Sequence, residues 1–223
     1  MGASNAQPPL PIVVLVSGSG TNLQAIIDQI HNRDVPARIV AVISNRADAY
    51  GLKRAEQAGI ATRVLSHRDY DSREAYDAAL QAVIDEYRPG LIVLAGFMRI
   101  LSDDFVRHYQ GRMINIHPSL LPRYKGLNTH QRALEAGDTE HGCSVHYVTP
   151  ELDGGPVILQ AGVPIEASDS PESLAQKVHV QEHRIYPQVV EWIARKRVRL
   201  EDDSVLFDGR PISEQQRRYR ANN

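Results

Sequence analysis

The 223-residue sequence has one cysteine, Cys143, and lacks any long uninterrupted apolar run. A single cysteine excludes an internal disulfide and also a cysteine-based zinc site. A membrane-spanning helix needs about 20 predominantly apolar residues in a row, and no stretch here approaches that length. We therefore expect a cytoplasmic protein that has no membrane partner.

The sequence also lacks an excess of charge of either sign. It has 25 Lys and Arg residues against 27 Asp and Glu residues, and its longest basic run is the short group 195–197. Proteins that bind nucleic acids usually carry a basic patch or stripe. We therefore expect no nucleic-acid partner.

Short apolar runs alternate with stretches of helical periodicity through the first half of the chain. The runs are Ile12–Val16, Arg38–Ile43, Thr62–Leu65 and Leu91–Ala95. Buried strands that alternate with helices predict an α/β fold with a mostly parallel, Rossmann-like sheet flanked by helices. The later runs 143–149 and 157–165 predict antiparallel strands, so the sheet should be mixed in the C-terminal part.

The segment Met1–Pro11 is polar and rich in proline. It has neither the basic region nor the apolar centre of a signal peptide, and we predict a disordered tail. No repeat or low-complexity linker interrupts the remainder, so residues 12–223 should form a single domain.

A glycine-containing turn, Ser17-Gly18-Ser19-Gly20-Thr21-Asn22, joins the first strand to the first helix. A turn in this place directs backbone N–H groups at an anion, and the helix dipole adds to the attraction. The third glycine of the dinucleotide fingerprint and a clear acidic ribose ligand are missing, which disfavours a dinucleotide. A phosphomonoester fits better, and the alternative is a tight turn that binds nothing.

Asn115 and His117 lie two residues apart on a predicted strand that Pro118 ends. They leave the same face of that strand, roughly 6.5 Å apart. Asp153, in the turn 151–156, is the natural partner of His117, because a carboxylate fixes the tautomer of an imidazole and favours its charged form. The three side chains suit acyl transfer, in which Asn115 and His117 bind the oxyanion and His117 moves protons.

The alternative interpretation makes Asn115 a turn cap and His117 a core histidine. No serine or cysteine stands in a recognisable nucleophile motif, so direct attack by a substrate amine is the simpler chemistry.

Three segments together resemble the folate-dependent formyltransferases, and among them the phosphoribosylglycinamide formyltransferase family: Ser17–Leu23, Asn115–Pro122 and Leu152–Gly155. The resemblance extends from about Ile12 to Pro187. It implies transfer of a formyl group from 10-formyltetrahydrofolate, the co-substrate, to the amine of glycinamide ribonucleotide in de novo purine biosynthesis. It implies small-molecule partners only, no metal, and a monomer or homodimer.

The resemblance also implies roles for individual residues. Residues 12–111 would be the half that binds the ribonucleotide phosphate, and residues 112–223 the catalytic and folate-binding half. The catalytic residues would be Asn115, His117 and Asp153. The ribonucleotide would be bound by Gly20, Thr21, Asn22, Pro118 and Glu182. The folate would be bound by Arg73, Met98, Arg99, Ile100, Leu101 and Thr149, together with Asn115 and Asp153.

Three positions depart from the usual family pattern, namely Lys125, Asn128 and His179. The family commonly has proline, histidine and glutamine there. These departures bear on loop mobility and substrate affinity and leave the expected reaction unchanged.

Other functions stay open at the level of the sequence. The nearest alternatives are a 10-formyltetrahydrofolate hydrolase and another folate formyltransferase, although the known members of those groups carry an additional domain. A metal hydrolase would use His179 and His183, which are four residues apart on a predicted helix, but no His-Glu-x-x-His motif accompanies them. A non-enzymatic module that binds a phosphate ligand is the third class.

Overall fold

The computed structural model describes residues 7–220. A seven-stranded sheet has the order β3-β2-β1-β4-β5-β6-β7. Its strands are β1 (Leu10–Val16), β2 (Ala37–Ser44), β3 (Thr62–Val64), β4 (Leu91–Leu94), β5 (Met113–His117), β6 (Glu140–Tyr147) and β7 (Val157–Pro164). The helices are α1 (Thr21–Gln29), α2 (Tyr50–Gln57), α3 (Arg73–Glu86), α4 (Asp103–His108), α5 (Thr129–Glu135), α6 (Pro171–Ala194) and α7 (Glu214–Arg217).

The first five strands pair in parallel, whereas β6 and β7 are antiparallel. A second, antiparallel sheet contains β8 (Val198–Glu201), β9 (Ser204–Phe207) and β10 (Arg210–Pro211). The predicted fold class is confirmed, including the change to antiparallel pairing after β5. Because β1, β4 and β5 are neighbours, the loops that follow them meet at one edge of the sheet.

The continuous apolar sequence of β1 is explained by burial on both faces. Val14 belongs to a core cluster that also contains Leu23 of α1 and Val178 of α6. Val13 belongs to a separate cluster on the other face, with Tyr76 of α3. Helices on both faces leave no room for a polar side chain in the middle of this strand.

Helix α6 spans 24 residues and connects the core to the edge of the sheet. It begins at a capping box between Ser170 and Ser173, with a proline in its first turn, which is a favourable helix start. The buried Tyr186 hydroxyl donates to the carbonyl of Leu94 at 2.7 Å, at the end of β4. This contact fixes the helix against the strands whose ends form the site.

The chain departs from the sequence prediction at its beginning. Strand β1 begins at Leu10, and Leu10 and Pro11 pair with Ala37 and Arg38. Residues 10 and 11 therefore do not belong to the predicted tail, and residues 1–6 lie outside the described part. The short helices His67–Asp69 and α7, and strand β10, were not predicted. No helix between residues 7 and 220 is long and apolar enough to cross a membrane.

Candidate active site

Asn115 and His117 project from the end of β5 into a cavity of about 420 Å³, and Asp153 lines the same cavity. His117 Nδ1 lies 3.5 Å from Asp153 Oδ1, and both side chains are only 8% exposed. The predicted amide, imidazole and carboxylate therefore come together. Strand alternation accounts for the shared face of Asn115 and His117, and the turn between β6 and β7 brings Asp153 to them.

The second ring nitrogen of His117 contacts the loop 119–128. Nε2 donates to the carbonyl of Tyr124 at 2.8 Å. A carbonyl oxygen only accepts, so Nε2 carries a proton in this arrangement and Nδ1 faces the carboxylate. The Tyr124 carbonyl thus fixes the orientation of the ring, and the Asp153 carboxylate lies beside the other nitrogen.

Asp153 occupies a tight turn whose geometry accounts for the sequence Leu152–Gly155. Its φ of +50° lies in the left-handed region, a conformation that Asp and Asn tolerate better than most residues. Its Oδ2 accepts the Gly126 N–H at 2.9 Å. A Cβ at Gly155 would overlap the carbonyl oxygen of Tyr147, so only glycine fits there.

His146 also lines the cavity, and no motif in the sequence indicates a role for it at this site. It is 2% exposed and pairs with Asn115 across β5 and β6. Its Nδ1 donates to the carbonyl of Tyr147 at 2.9 Å, which leaves a lone pair on Nε2 with no partner among the described residues. Burial lowers the pKa of His146, so the ring is neutral at pH 7. His146 is identified as a site residue because the register between β5 and β6 places it opposite Asn115. That register is a property of the tertiary structure.

The mouth of the cavity is apolar. Met98, Ile100, Leu127 and Leu152 are 72%, 62%, 75% and 56% exposed, respectively. Large exposed apolar side chains around a polar floor are typical of a site for a flat, partly apolar ligand. A larger hollow of about 920 Å³ lies beside α7, and none of the three predicted catalytic residues lines it.

The glycine turn after β1 packs closely against the start of α2. Gly20 has a φ of +71°, and a Cβ there would lie 2.6 Å from Gly51 Cα. Gly51 N–H donates to the Gly18 carbonyl at 3.0 Å, and Arg54 Nε donates to the Ser19 carbonyl at 2.7 Å. The N-cap residue of α1 is Gly20, and no side chain within residues 7–220 makes a capping hydrogen bond there. Its first N–H groups are therefore free to bind an anion.

Asn22 and Glu182 are 160 positions apart in the chain and adjacent in space. Asn22 Nδ2 donates to Glu182 Oε2 at 3.3 Å, and Asn22 Oδ1 is buried without a partner within residues 7–220. Glu182 is 5% exposed. Burial raises its pKa, and the neighbouring His179 and the Asn22 hydrogen bond oppose that effect. This pair offers a half-buried amide, whose Oδ1 is buried, and a buried carboxyl group to a polar ligand beside the glycine turn.

The other predicted binding residues divide into two groups. Met98, Arg99, Ile100, Leu101 and Thr149 all line the cavity. Arg73 does not line it: this side chain is half exposed at the start of α3, with Nη2 3.9 Å from Glu74 Oε1. Pro118 also lies outside the lining, and its carbonyl accepts from Thr129 Oγ1 at 2.6 Å.

The histidine pair on α6 does not converge on a common point with further ligands. The rings of His179 and His183 are stacked with their centroids 6.4 Å apart. Within the described part of the chain, no three His, Cys, Asp or Glu side chains are grouped as ligands for a metal ion.

An open α/β sheet that places an amide, an imidazole and a carboxylate beyond its carboxyl edge has the architecture of an acyl-transfer enzyme. A family model described as "Formyl transferase" matches residues 10–190, and the chain belongs to this family.

Individual proteins and solved structures similar to this chain have more specific names than the family. The phosphoribosylglycinamide formyltransferase of Escherichia coli (strain K12) is 57% identical over 204 residues, which cover 92% of this chain and 96% of that protein. The solved structure of the phosphoribosylglycinamide formyltransferase from Coxiella burnetii has a TM-score of 0.90 at 57% identity, and the match covers 95% of this chain and all of that one. The Trifunctional purine biosynthetic protein adenosine-3 of Bos taurus is 48% identical over 189 residues, which are 85% of this chain and 19% of that protein.

Proposed function

We propose that this protein transfers a formyl group from 10-formyltetrahydrofolate to the amine of glycinamide ribonucleotide, a step of de novo purine biosynthesis. The observation that carries the proposal is that Asn115, His117 and Asp153 together line the cavity with the apolar mouth. The glycine turn with the Asn22–Glu182 pair follows β1 at the same edge of the sheet and would be the second ligand site. The likeness to enzymes with this printed name supports the same reaction.

The chemistry is direct transfer between two bound substrates. The amine nitrogen of the ribonucleotide attacks the formyl carbon, and a tetrahedral intermediate forms with a negative oxygen. The bond from that carbon to N10 of the folate then breaks, and one proton from the attacking amine ends on N10. Asn115 and His117 stabilise the oxyanion by hydrogen bonds, and Asp153 supports the positive charge that His117 acquires.

Proton transfer through His117 needs a change at the loop 119–128. His117 Nε2 is engaged by the Tyr124 carbonyl, and Nδ1 faces Asp153. A substrate atom reaches Nε2 only after the Tyr124 carbonyl withdraws. Binding of the substrates and movement of this loop are therefore coupled steps in the proposed mechanism.

The assignment of substrates to sites follows from charge and polarity. The free N–H groups after Gly20, with Thr21 and Asn22, would bind the phosphate, and Glu182 would accept hydrogen bonds from ribose hydroxyls. Pro118 would contact the same substrate. The folate would occupy the cavity, in contact with Met98, Arg99, Ile100, Leu101 and Thr149 and with Asn115 and Asp153, and Arg73 would lie near its tail.

We assign the ribonucleotide phosphate to the half 12–111 and catalysis and folate binding to the half 112–223. As part of the same proposal, the enzyme works in the cytoplasm on small-molecule substrates and needs no metal. It acts as a monomer or homodimer.

The test is a formyl-transfer assay with 10-formyltetrahydrofolate, in which glycinamide ribonucleotide and water compete as acceptors. We expect transfer that requires the ribonucleotide and falls by about 10²-fold to 10⁴-fold in His117→Ala. Formate release in the absence of the amine would instead identify a hydrolase. Ribonucleotide binding without any reaction would identify a binding module.

A further inference from the structure

The segment Met98–Ser102 forms one wall of the cavity, and side chains outside the cavity hold its two ends. Met98 and Ile100 are largely exposed, so the segment receives little support from apolar packing of these two side chains. Leu101 packs partly against the core cluster that contains Tyr76, and the Arg99 guanidinium lies 4.6 Å from the centre of the Tyr76 ring. Hydrogen bonds to two buried polar side chains, Ser17 and Asp77, fix the backbone of the segment at its two ends.

Ser17 holds the first end of the segment. The Met98 N–H donates to Ser17 Oγ at 2.8 Å, and the Ser17 hydroxyl donates to Asn45 Oδ1 at 2.5 Å. The Ser17 N–H donates to the Gly96 carbonyl at 3.2 Å. Ser17 and Asn45 are each 4% exposed. Because Asn45 accepts the hydroxyl hydrogen, the oxygen of Ser17 is oriented to accept from Met98.

Asp77 holds the second end. The Ser102 N–H donates to Asp77 Oδ2 at 2.6 Å, and Asp77 is 2% exposed on α3. Ser102 then caps α4 through its hydroxyl, which accepts from Phe105 N–H at 3.3 Å. The segment is thus fixed at Met98 from the end of β1 and at Ser102 from α3. Neither Ser17 nor Asp77 lines the cavity itself.

We propose that Ser17 and Asp77 are positioning residues for formyl transfer, which fix the folate-binding segment relative to the ribonucleotide turn. Ser17 is also the first residue of that turn, but its side chain bonds Asn45 and Met98, so Ser17→Ala removes a contact to the folate-binding segment and leaves the N–H groups after Gly20 in place. This inference rests on the proposed function. Its physical basis is that transfer between two bound molecules is sensitive to displacements of about 1 Å.

The substitutions Ser17→Ala and Asp77→Ala each leave a backbone N–H of the segment without its acceptor, partly buried at Met98 and buried at Ser102. An unmade buried hydrogen bond typically costs enough to change an equilibrium about 10-fold to 100-fold. We expect kcat/KM for 10-formyltetrahydrofolate to fall by about that factor, with a higher KM for the folate and a lower kcat. The KM for glycinamide ribonucleotide should change by less than about twofold, because the N–H groups after Gly20 are untouched.

Asp77→Asn and Tyr109→Phe serve as matched variants. Asparagine keeps a carbonyl oxygen for Ser102, so it should restore most of the activity lost in Asp77→Ala. Tyr109→Phe removes a buried hydroxyl that donates to Asp85 at 2.7 Å, at the far end of α4. It should leave folate kinetics unchanged. Thermal denaturation of every variant separates a local effect from unfolding.

Amide hydrogen exchange of the ligand-free protein tests the contacts without any use of activity. We expect faster exchange at Met98 in Ser17→Ala and at Ser102 in Asp77→Ala, and unchanged exchange in the core strand β4. Unchanged exchange at these amides, or a ribonucleotide KM that rises as much as the folate KM, would overturn the inference. If the wild-type protein transfers no formyl group, the proposed function fails. Exchange and calorimetric binding of tetrahydrofolate then still decide whether the two side chains position the segment.

Discussion

Replacement of Asp153 by asparagine separates the charge of this residue from its structural role. Asparagine has nearly the same size and tolerates the φ of +50° that Asp153 adopts. Its carbonyl oxygen can still accept the Gly126 N–H that Asp153 Oδ2 accepts at 2.9 Å. The amide NH₂ then faces His117 Nδ1, where the carboxylate had been. An N–H donor at that place opposes a proton on Nδ1, so the variant lacks the support that a carboxylate gives to a positive charge on the imidazole.

The expected loss follows from the distance between the two groups. Two unit charges 3.5 Å apart, as His117 Nδ1 and Asp153 Oδ1 are, attract by about 5 kcal/mol at an effective dielectric constant of about 20. Part of this energy is offset by desolvation, so we take about 3 to 4 kcal/mol as the loss of transition-state stabilisation. That corresponds to a decrease in kcat of about 10²-fold to 10³-fold, with substrate dissociation constants within about threefold of the wild type.

The assay is steady-state formyl transfer to glycinamide ribonucleotide, combined with calorimetric binding of each substrate. Asp202→Asn is the matched control, because Asp202 also has a positive φ, of +52°, but lies in the exposed turn between β8 and β9. It should have wild-type kinetics. Wild-type turnover in Asp153→Asn would refute the role given to the carboxylate. A loss of folate affinity as large as the loss of kcat would assign Asp153 to binding instead.

Three further predictions concern binding, folding and pH. Asn22→Ala should weaken ribonucleotide binding about tenfold in calorimetry with little change in kcat at saturation, since a buried hydrogen-bonding group is lost; unchanged affinity would argue against the phosphate site. Gly155→Ala should destabilise the protein by several kcal/mol in chemical denaturation, because its Cβ would overlap the Tyr147 carbonyl, whereas Gly59→Ala, whose Cβ meets no atom but whose φ of +71° strains alanine, should cost only about 1 to 2 kcal/mol. Burial, aided by the neighbouring His130, lowers the pKa of His141 to about 4. As the pH falls, the unfolded chain therefore binds a proton at this histidine before the folded protein does. The free energy of unfolding should be highest above about pH 6.5 and should decline toward pH 4 by up to about 1.4 kcal/mol per pH unit. His141→Gln should flatten that part of a plot of Tm against pH.

The fold was predictable from the sequence because each strand of the parallel part is a short apolar run between polar turns. Burial on two faces imposes that composition, as the two clusters that share β1 illustrate. The end of the tail was misplaced by two residues, since a proline at an early strand position is compatible with pairing and gives no warning of it. Helix α7 has four residues, too few for a periodic signal.

The site was predictable in part. Asn115 and His117 follow from strand alternation, whereas Ser17 and Asp77 have no distinctive spacing, because their partners are backbone groups of a remote segment. Every residue except proline has a backbone N–H, so the residue types of Met98 and Ser102 do not indicate that these groups bind a remote side chain. His146 gave no signal for a related reason, as its place beside Asn115 depends on the register between β5 and β6.

The sequence by itself determined the alternation of strands and helices, the glycines that the tight turns require, and the chemical groups available for catalysis. These properties depend on local sterics and on the burial of each element, which composition and periodicity record. The sequence also paired Asp153 with His117, and the tertiary structure set their distance of 3.5 Å. Only the tertiary structure decided that Glu182 meets Asn22 and that the Tyr124 carbonyl meets the second nitrogen of His117. The order and register of strands set those distances, and they result from packing over the whole chain.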